Sequence, residues 1–203
     1  MIRVQDFAIA ALMLSWFGLG VALFFARMHR HAPDEPGAPA ATRDLQSWGG
    51  LALQGVGFAL AWGTQRQAAA AWWPGMSLAV RDVLLVFAAL LALASSGFAV
   101  LAVRELGKQW SLTARLLSSH ELVTSGPFAW VRHPIYSALL GLLVATGLCL
   151  GTAAATGAGT LVYLIGTHWR AAREEKLLLA RFGDAYREYT RHVPRLIPGP
   201  RRA

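Results

Sequence analysis

Residues 125–136 read SGPFAWVRHPIY: a Gly-Pro break, then Arg132 and His133, then Pro134 at the head of a long apolar run. From residue 133 to residue 169 no formal charge occurs in 37 positions, too many for one membrane crossing and about right for two short ones. Gly147, Gly151, Gly157 and Gly159, with Thr152 and Thr156 among them, mark a tight reversal. The stretch therefore predicts a helical hairpin, 134–148 followed by 153–169. Its opening motif places Arg132, His133 and Tyr136 at the mouth of a membrane segment, where a water-soluble reactant can meet a lipid-soluble one.

Three further uncharged runs lie upstream, at residues 7–26, 45–65 and 83–103. Each is long enough to cross a hydrocarbon core at about 1.5 Å per residue. The first reads as a retained helix rather than a cleaved signal peptide, because its apolar region is long and only Arg3 supplies a basic leader. The second is weakened as an apolar run by Gln54 and by its glycines, small residues that suit close helix packing. Between these runs, residues 27–44 form a Pro-rich loop in which His29 and His31 read as solvated rather than metal-binding, and no metal site is expected. Trp72 and Trp73 read as interfacial anchors in the next connection.

The composition agrees with this picture. The chain has 203 residues, 55% hydrophobic and 15% charged, and a single cysteine, Cys149. That is too apolar for an ordinary soluble domain, and it excludes an internal disulfide framework. The net charge of +8 reflects basic residues beside apolar spans rather than a nucleic-acid surface. With five spans and the N-terminus outside, all of the 19 Lys and Arg except Arg3, Arg66 and Arg81 fall on the cytoplasmic side. Four spans would split the basic segments across the bilayer. The expected fold is thus an all-α integral membrane protein of five transmembrane helices, N-terminus out, followed by a cytosolic amphipathic helix over 170–193. Residues 1–103 hold three N-terminal helices, and 104–203 hold the polar loop, the hairpin and the tail.

This topology puts the loop ahead of Pro134 and the tail on one face. Leu178, Phe182, Tyr186, Tyr189 and Val193 recur at three- or four-residue steps along the tail. Arg170 and Glu174 stand one helical turn apart and can face one volume, though on spacing alone an ordinary surface ion pair is the leading reading. On residues alone, Arg132 is a topology anchor or a functional cation, His133 a capping residue or a ligand-binding one, and Tyr136 a belt aromatic or a site residue.

Three segments shift that balance: LGKQWS at 106–111, HELVTSGPFAWVRHPIY at 120–136 and REEKLLLARFGDAYREYTRHVPRLIP at 173–198. Together they resemble the isoprenylcysteine carboxyl methyltransferase family, grouped with the phospholipid methyltransferases among membrane enzymes that use S-adenosylmethionine. The resemblance covers 106–198. It implies cofactor contacts from His120, Glu121, Leu122 and Val123, from His133, Pro134, Ile135 and Tyr136, and from Glu174, with Arg170 facing the acceptor carboxylate. Arg170 and Glu174 are then the expected catalytic pair. Phe128 stands where the family usually has tyrosine and is kept as a packing contact to the cofactor; Thr113 falls where a polar amide can occur.

The chemistry implied by the resemblance suits these residue types. A carboxylate acceptor is ionised at neutral pH, so methyl transfer to it needs positioning and water exclusion rather than a base. A phosphatidylethanolamine amine would need deprotonation, for which only His133 or Glu175 stands ready. The expected partners are a lipophilic acceptor entering from the bilayer and membrane lipids. A transporter would carry ionisable groups within its spans, where only His168 occurs, and a scaffold would not explain the paired motifs.

Overall fold

The computed structural model describes residues 3–28, 47–63, 75–107 and 121–197. His29, His31, Trp72, Trp73, Thr113 and His120 lie outside the described residues. Among those described, six α-helices and one short 3₁₀ turn account for the regular structure, with no strand. They are α1 (Val4–Met28), α2 (Ser47–Gly63), α3 (Leu78–Leu106), the turn Gly126–Ala129, α4 (Pro134–Leu150), α5 (Ala153–Phe182) and α6 (Asp184–His192).

α1 and α3 are long and apolar enough to cross a membrane; α4 is apolar over 17 residues. Their outward faces carry Phe7, Leu14, Phe17, Val83 and Leu90, all more than half exposed, an apolar exterior that water would disfavour and lipid would not. The inward faces are built of small residues. α1, α3 and α4 close around Ala8, Ala11, Ala88, Ala92, Ala99, Ala138 and Ala145, with Leu12, Leu19, Leu85 and Leu142 filling between them. Buried hydroxyls are satisfied within this layer: Ser96 donates to the Ser15 carbonyl at 2.9 Å, and Trp16 Nε1 donates to Thr146 Oγ1 at 3.2 Å.

The expected reversal between the hairpin helices is present. The Gly151 amide closes α4 by donating to the Gly147 carbonyl at 2.9 Å, and Thr152 caps α5 by accepting from the Ala155 amide at 3.3 Å. The two helices then diverge, α4 packing chiefly on α3 and α5 chiefly on α2.

The α2–α5 seam is a glycine contact. Gly50 faces Gly166 and Gly57 faces Gly159, two antiparallel pairs seven residues apart on each helix. A Cβ at Gly57 would lie 2.6 Å from the Gly159 carbonyl oxygen and 2.9 Å from Tyr163 Cβ, so the backbones can meet only without side chains. Gly57→Ala is expected to force the helices apart and to lower stability by about 1–3 kcal/mol, the usual cost of overpacking. Thermal unfolding in detergent checks this; an unchanged midpoint would mean that the seam yields freely.

α5 runs past its apolar part, so the hairpin continues into the tail as expected, but the tail is not one helix. Gly183 adopts φ +52°, a left-handed conformation that favours glycine, and ends α5 one residue before α6 begins. This break turns residues 184–197 back toward the start of α4.

Candidate active site

The site is assembled where the head of α4 meets the polar half of α5. Pro134 occupies the first turn of α4, where its missing N–H costs nothing, and His133 stands at the N-cap position with its side chain engaged elsewhere rather than in a cap hydrogen bond. The returning tail fixes this entrance: the Arg132 amide donates to the Pro194 carbonyl at 2.9 Å and the His133 amide to the Arg195 carbonyl at 3.1 Å. Ser137 Oγ donates to the Leu196 carbonyl, and Tyr189 Oη to the Phe128 carbonyl at 2.6 Å.

One turn of α5 supplies two carboxylates with different surroundings. Glu174 accepts from Tyr136 Oη, lies 3.5 Å from His133 Nδ1 and 3.8 Å from Arg170 Nη2, and keeps 23% of its side chain exposed. Glu175 is gripped by cations. Arg132 Nε donates to it at 3.1 Å, Arg195 Nε at 3.0 Å, and His133 Nε2 lies 3.1 Å away. Arg132 also donates to the Thr190 and Val193 carbonyls at 3.1 and 2.6 Å, closing the C-terminal end of α6.

His133 therefore bridges the two carboxylates with its two ring nitrogens. Burial works against its charge, but the hydrogen bonds with Glu174 and Glu175 outweigh it and raise the pKa above the ordinary 6.5. Burial likewise opposes the charge on Glu175, yet His133 and Arg195 hydrogen bonds and the Arg132 charge push it down to about 2. Glu174 is also lowered against the effect of burial, by His133 first, then Arg170 and Tyr136. The surroundings favour the charged form of each of the three. Within this set two carboxylates face three guanidiniums beside His133, so the cluster is net positive.

Arg170 completes the cluster from within the bundle. It is 5% exposed, its guanidinium carbon stands 5.1 Å from the centre of the Tyr136 ring, and Nη1 donates to Gln54 Oε1 at 2.9 Å. The Tyr136 ring stacks on His133 at 5.5 Å, and Tyr163 Oη donates to the Tyr136 carbonyl at 2.9 Å, fixing the first turn of α4.

Residues 85–180 match the model of the isoprenylcysteine carboxyl methyltransferase family. The match covers a little under half of the chain. The matched segment contains Arg132, His133, Tyr136, Arg170, Glu174 and Glu175; Gln54 and Arg195 reach the cluster from outside it. Over 79 residues the chain is 38% identical to the protein-S-isoprenylcysteine O-methyltransferase of Schizosaccharomyces pombe, covering 39% of this chain and 34% of the relative. Over 81 residues it is 36% identical to the protein of the same name from Tribolium castaneum, covering 40% and 29%. The methanethiol S-methyltransferase of Mycobacterium tuberculosis is 39% identical over 79 residues, covering 37% and 30%. The chain thus spans about a third of the length of the curated relatives it matches.

Of the residues singled out in the sequence, His133, Tyr136, Arg170 and Glu174 come together. Pro134 is buried and Ile135 half-buried in the first turn of α4, and Phe128 is buried in the 3₁₀ turn. Glu121 is exposed and Leu122 and Val123 are half-buried in the irregular lead-in; none of the contacts described above runs through them. Sequence reading left Arg132 open between a topology anchor and a functional cation; in the structure it pairs with Glu175. That reading missed Arg195 and Gln54. An amide in the middle of an apolar helix was the available signal for Gln54, since burying it costs unless it is paired.

Proposed function

We propose that this chain is an S-adenosylmethionine-dependent membrane methyltransferase that methylates the carboxylate of a prenylcysteine-like or other lipophilic acceptor. Five spans, the N-terminus outside and the cluster on the cytoplasmic face complete the reading. The observation that carries it is the grouping of His133, Tyr136, Arg170 and Glu174 inside the family segment.

The donor set fits such a cofactor. Glu174 is an ionised carboxylate with one edge open, suited to accept hydrogen bonds from ribose hydroxyls or an ammonium, and His133, Pro134, Ile135 and Tyr136 form the wall beside it. When bound, S-adenosylmethionine supplies a methyl group on a sulfonium, already activated for in-line displacement. Arg170 holds the acceptor carboxylate by paired N–H donors, and burial within the bundle keeps water away.

The partners of these side chains favour an acceptor that is already an anion. His133 already engages both carboxylates through its two ring nitrogens, and Glu175 is gripped by Arg132 and Arg195, so neither stands open as a base. A phosphatidylethanolamine amine would need such a base, as would a thiol. The likeness to a methanethiol S-methyltransferase makes sulfur the second reading to test, and neither a scaffold nor a transporter explains the cluster.

Calorimetry with S-adenosylmethionine on the purified protein should show binding, and labelling from methyl-radioactive cofactor should appear on N-acetyl-S-farnesyl-cysteine in preference to a small thiol. Arg170→Ala should leave cofactor binding within about twofold while lowering turnover by roughly two orders of magnitude, as expected for a lost charge-assisted contact to the acceptor. No binding at millimolar cofactor would overturn the reading; preferential labelling of the thiol would replace the acceptor class.

A further inference from the structure

α2 lies wholly outside the segment that identifies the family, yet one of its side chains enters the cluster. Gln54 is 4% exposed in the middle of an apolar helix, where an unpaired amide would be costly. It spends both ends of its amide on α5. Nε2 donates to Thr167 Oγ1 at 2.8 Å, and Oε1 accepts from Arg170 Nη1 at 2.9 Å. Thr167 is fully buried and stands one turn before Arg170, so it anchors the amide plane from the helix that carries the guanidinium. The glycine seam sets the reach. Gly50 sits against the Arg170 stem, where a Cβ would come within 2.5 Å of Cγ and 2.8 Å of the Gly166 carbonyl oxygen.

We infer that Gln54 is a positioning residue for acceptor binding: it holds the Arg170 guanidinium away from Glu174 and so keeps its charge available to an anionic acceptor. The inference rests on the methyltransferase reading and goes beyond it by assigning α2 a part in the site. Both Glu174 and Gln54 attract this guanidinium, which also lies against the Tyr136 ring. Nη2 stands 3.8 Å from Glu174 Oε1, just beyond a tight ion pair, while Nη1 is bound at 2.9 Å on the Gln54 side. Remove the Gln54 acceptor, and the guanidinium swings toward Glu174. Arg170 is then neutralised by an internal carboxylate, and an acceptor carboxylate must compete with it. Glu174 itself keeps its Tyr136 and His133 partners, so the cofactor side is little changed.

The test separates acceptor from cofactor. Gln54→Met keeps the volume and removes both hydrogen bonds; it should raise KM for N-acetyl-S-farnesyl-cysteine about tenfold, the usual scale for a lost hydrogen bond to a charged group, with the S-adenosylmethionine Kd within twofold of the parent. Gln54→Glu should raise KM further, because the new carboxylate neutralises Arg170 directly. Thr167→Val, nearly isosteric, should reproduce part of the rise by freeing the amide. An acceptor KM for Gln54→Met within twofold of the parent would overturn the assignment, as would a cofactor Kd that rises in step with KM, which marks a general loss of structure. Absence of cofactor binding in the parent protein would overturn the methyltransferase reading and this inference together, and is seen before any variant is made.

Discussion

Glu174→Gln is expected to lower methyl transfer by about two to three orders of magnitude and to weaken S-adenosylmethionine binding by tenfold or more, the scale on which losing a charged, preorganised partner acts. The substitution keeps the shape and removes the charge. Tyr136 Oη loses its anionic acceptor, His133 loses one of its two carboxylates, and Arg170 loses the counter-charge at 3.8 Å. His133 then has only Glu175 to sustain its raised pKa, which moves back down. Calorimetry and single-turnover labelling read the two effects separately. If cofactor affinity is retained and only turnover falls, Glu174 belongs to the acceptor side rather than to the cofactor.

The second large effect concerns stability. Glu175→Ala should cost roughly 3 kcal/mol, because removing one member of a half-buried ion network leaves the others uncompensated. Arg132, Arg195 and His133 all converge on this carboxylate, whose side chain is 13% exposed. The pH dependence follows from the same groups. The Glu175 carboxyl lies at about 2 in the folded chain against an ordinary 4.5, so its contribution is complete above pH 4.5 and is lost as pH falls toward 2. The His133 contribution has the opposite sign: it is complete below 6.5 and is lost as pH rises through the raised value. The unfolding midpoint in detergent should therefore peak on the weakly acidic side and decline in both directions, and Glu175→Ala should flatten the acid limb. A parent protein whose midpoint ignores acid down to pH 3 would mean that the network carries little stability.

Much of the architecture was legible because apolar run length and glycine placement are local properties. The turn at Gly151 and Thr152 follows from breaker and cap chemistry, and the ends of α1, α2 and α4 fall within a few residues of the uncharged runs, whereas α5 continues 13 residues past its run to Phe182. The single tail helix over 170–193 was wrong for a local reason too: apolar periodicity persists across Gly183, while the backbone turns there. Arg170, Glu174, His133 and Tyr136 were named by resemblance to a family, and spacing alone had left Arg170 and Glu174 as an ordinary surface pair. What sequence could not supply was partnership at long range. Arg132 looked sufficient as a topology anchor because nothing in its own neighbourhood announces Glu175, 43 positions on, or the carbonyls of 190 and 193. Gln54 is separated from Arg170 by 116 positions, and only the glycine seam brings them together.

The returning tail has a consequence for how the protein is made. The amides of Arg132 and His133 are satisfied by carbonyls of 194 and 195, and Glu175 waits on Arg195. A nascent chain can therefore insert every apolar helix and still lack a finished site until synthesis has passed residue 196, whose carbonyl accepts from Ser137. A product cut after α5 would therefore keep the head of α4 and both carboxylates yet leave Arg132, His133 and Glu175 without the partners that the returning tail supplies.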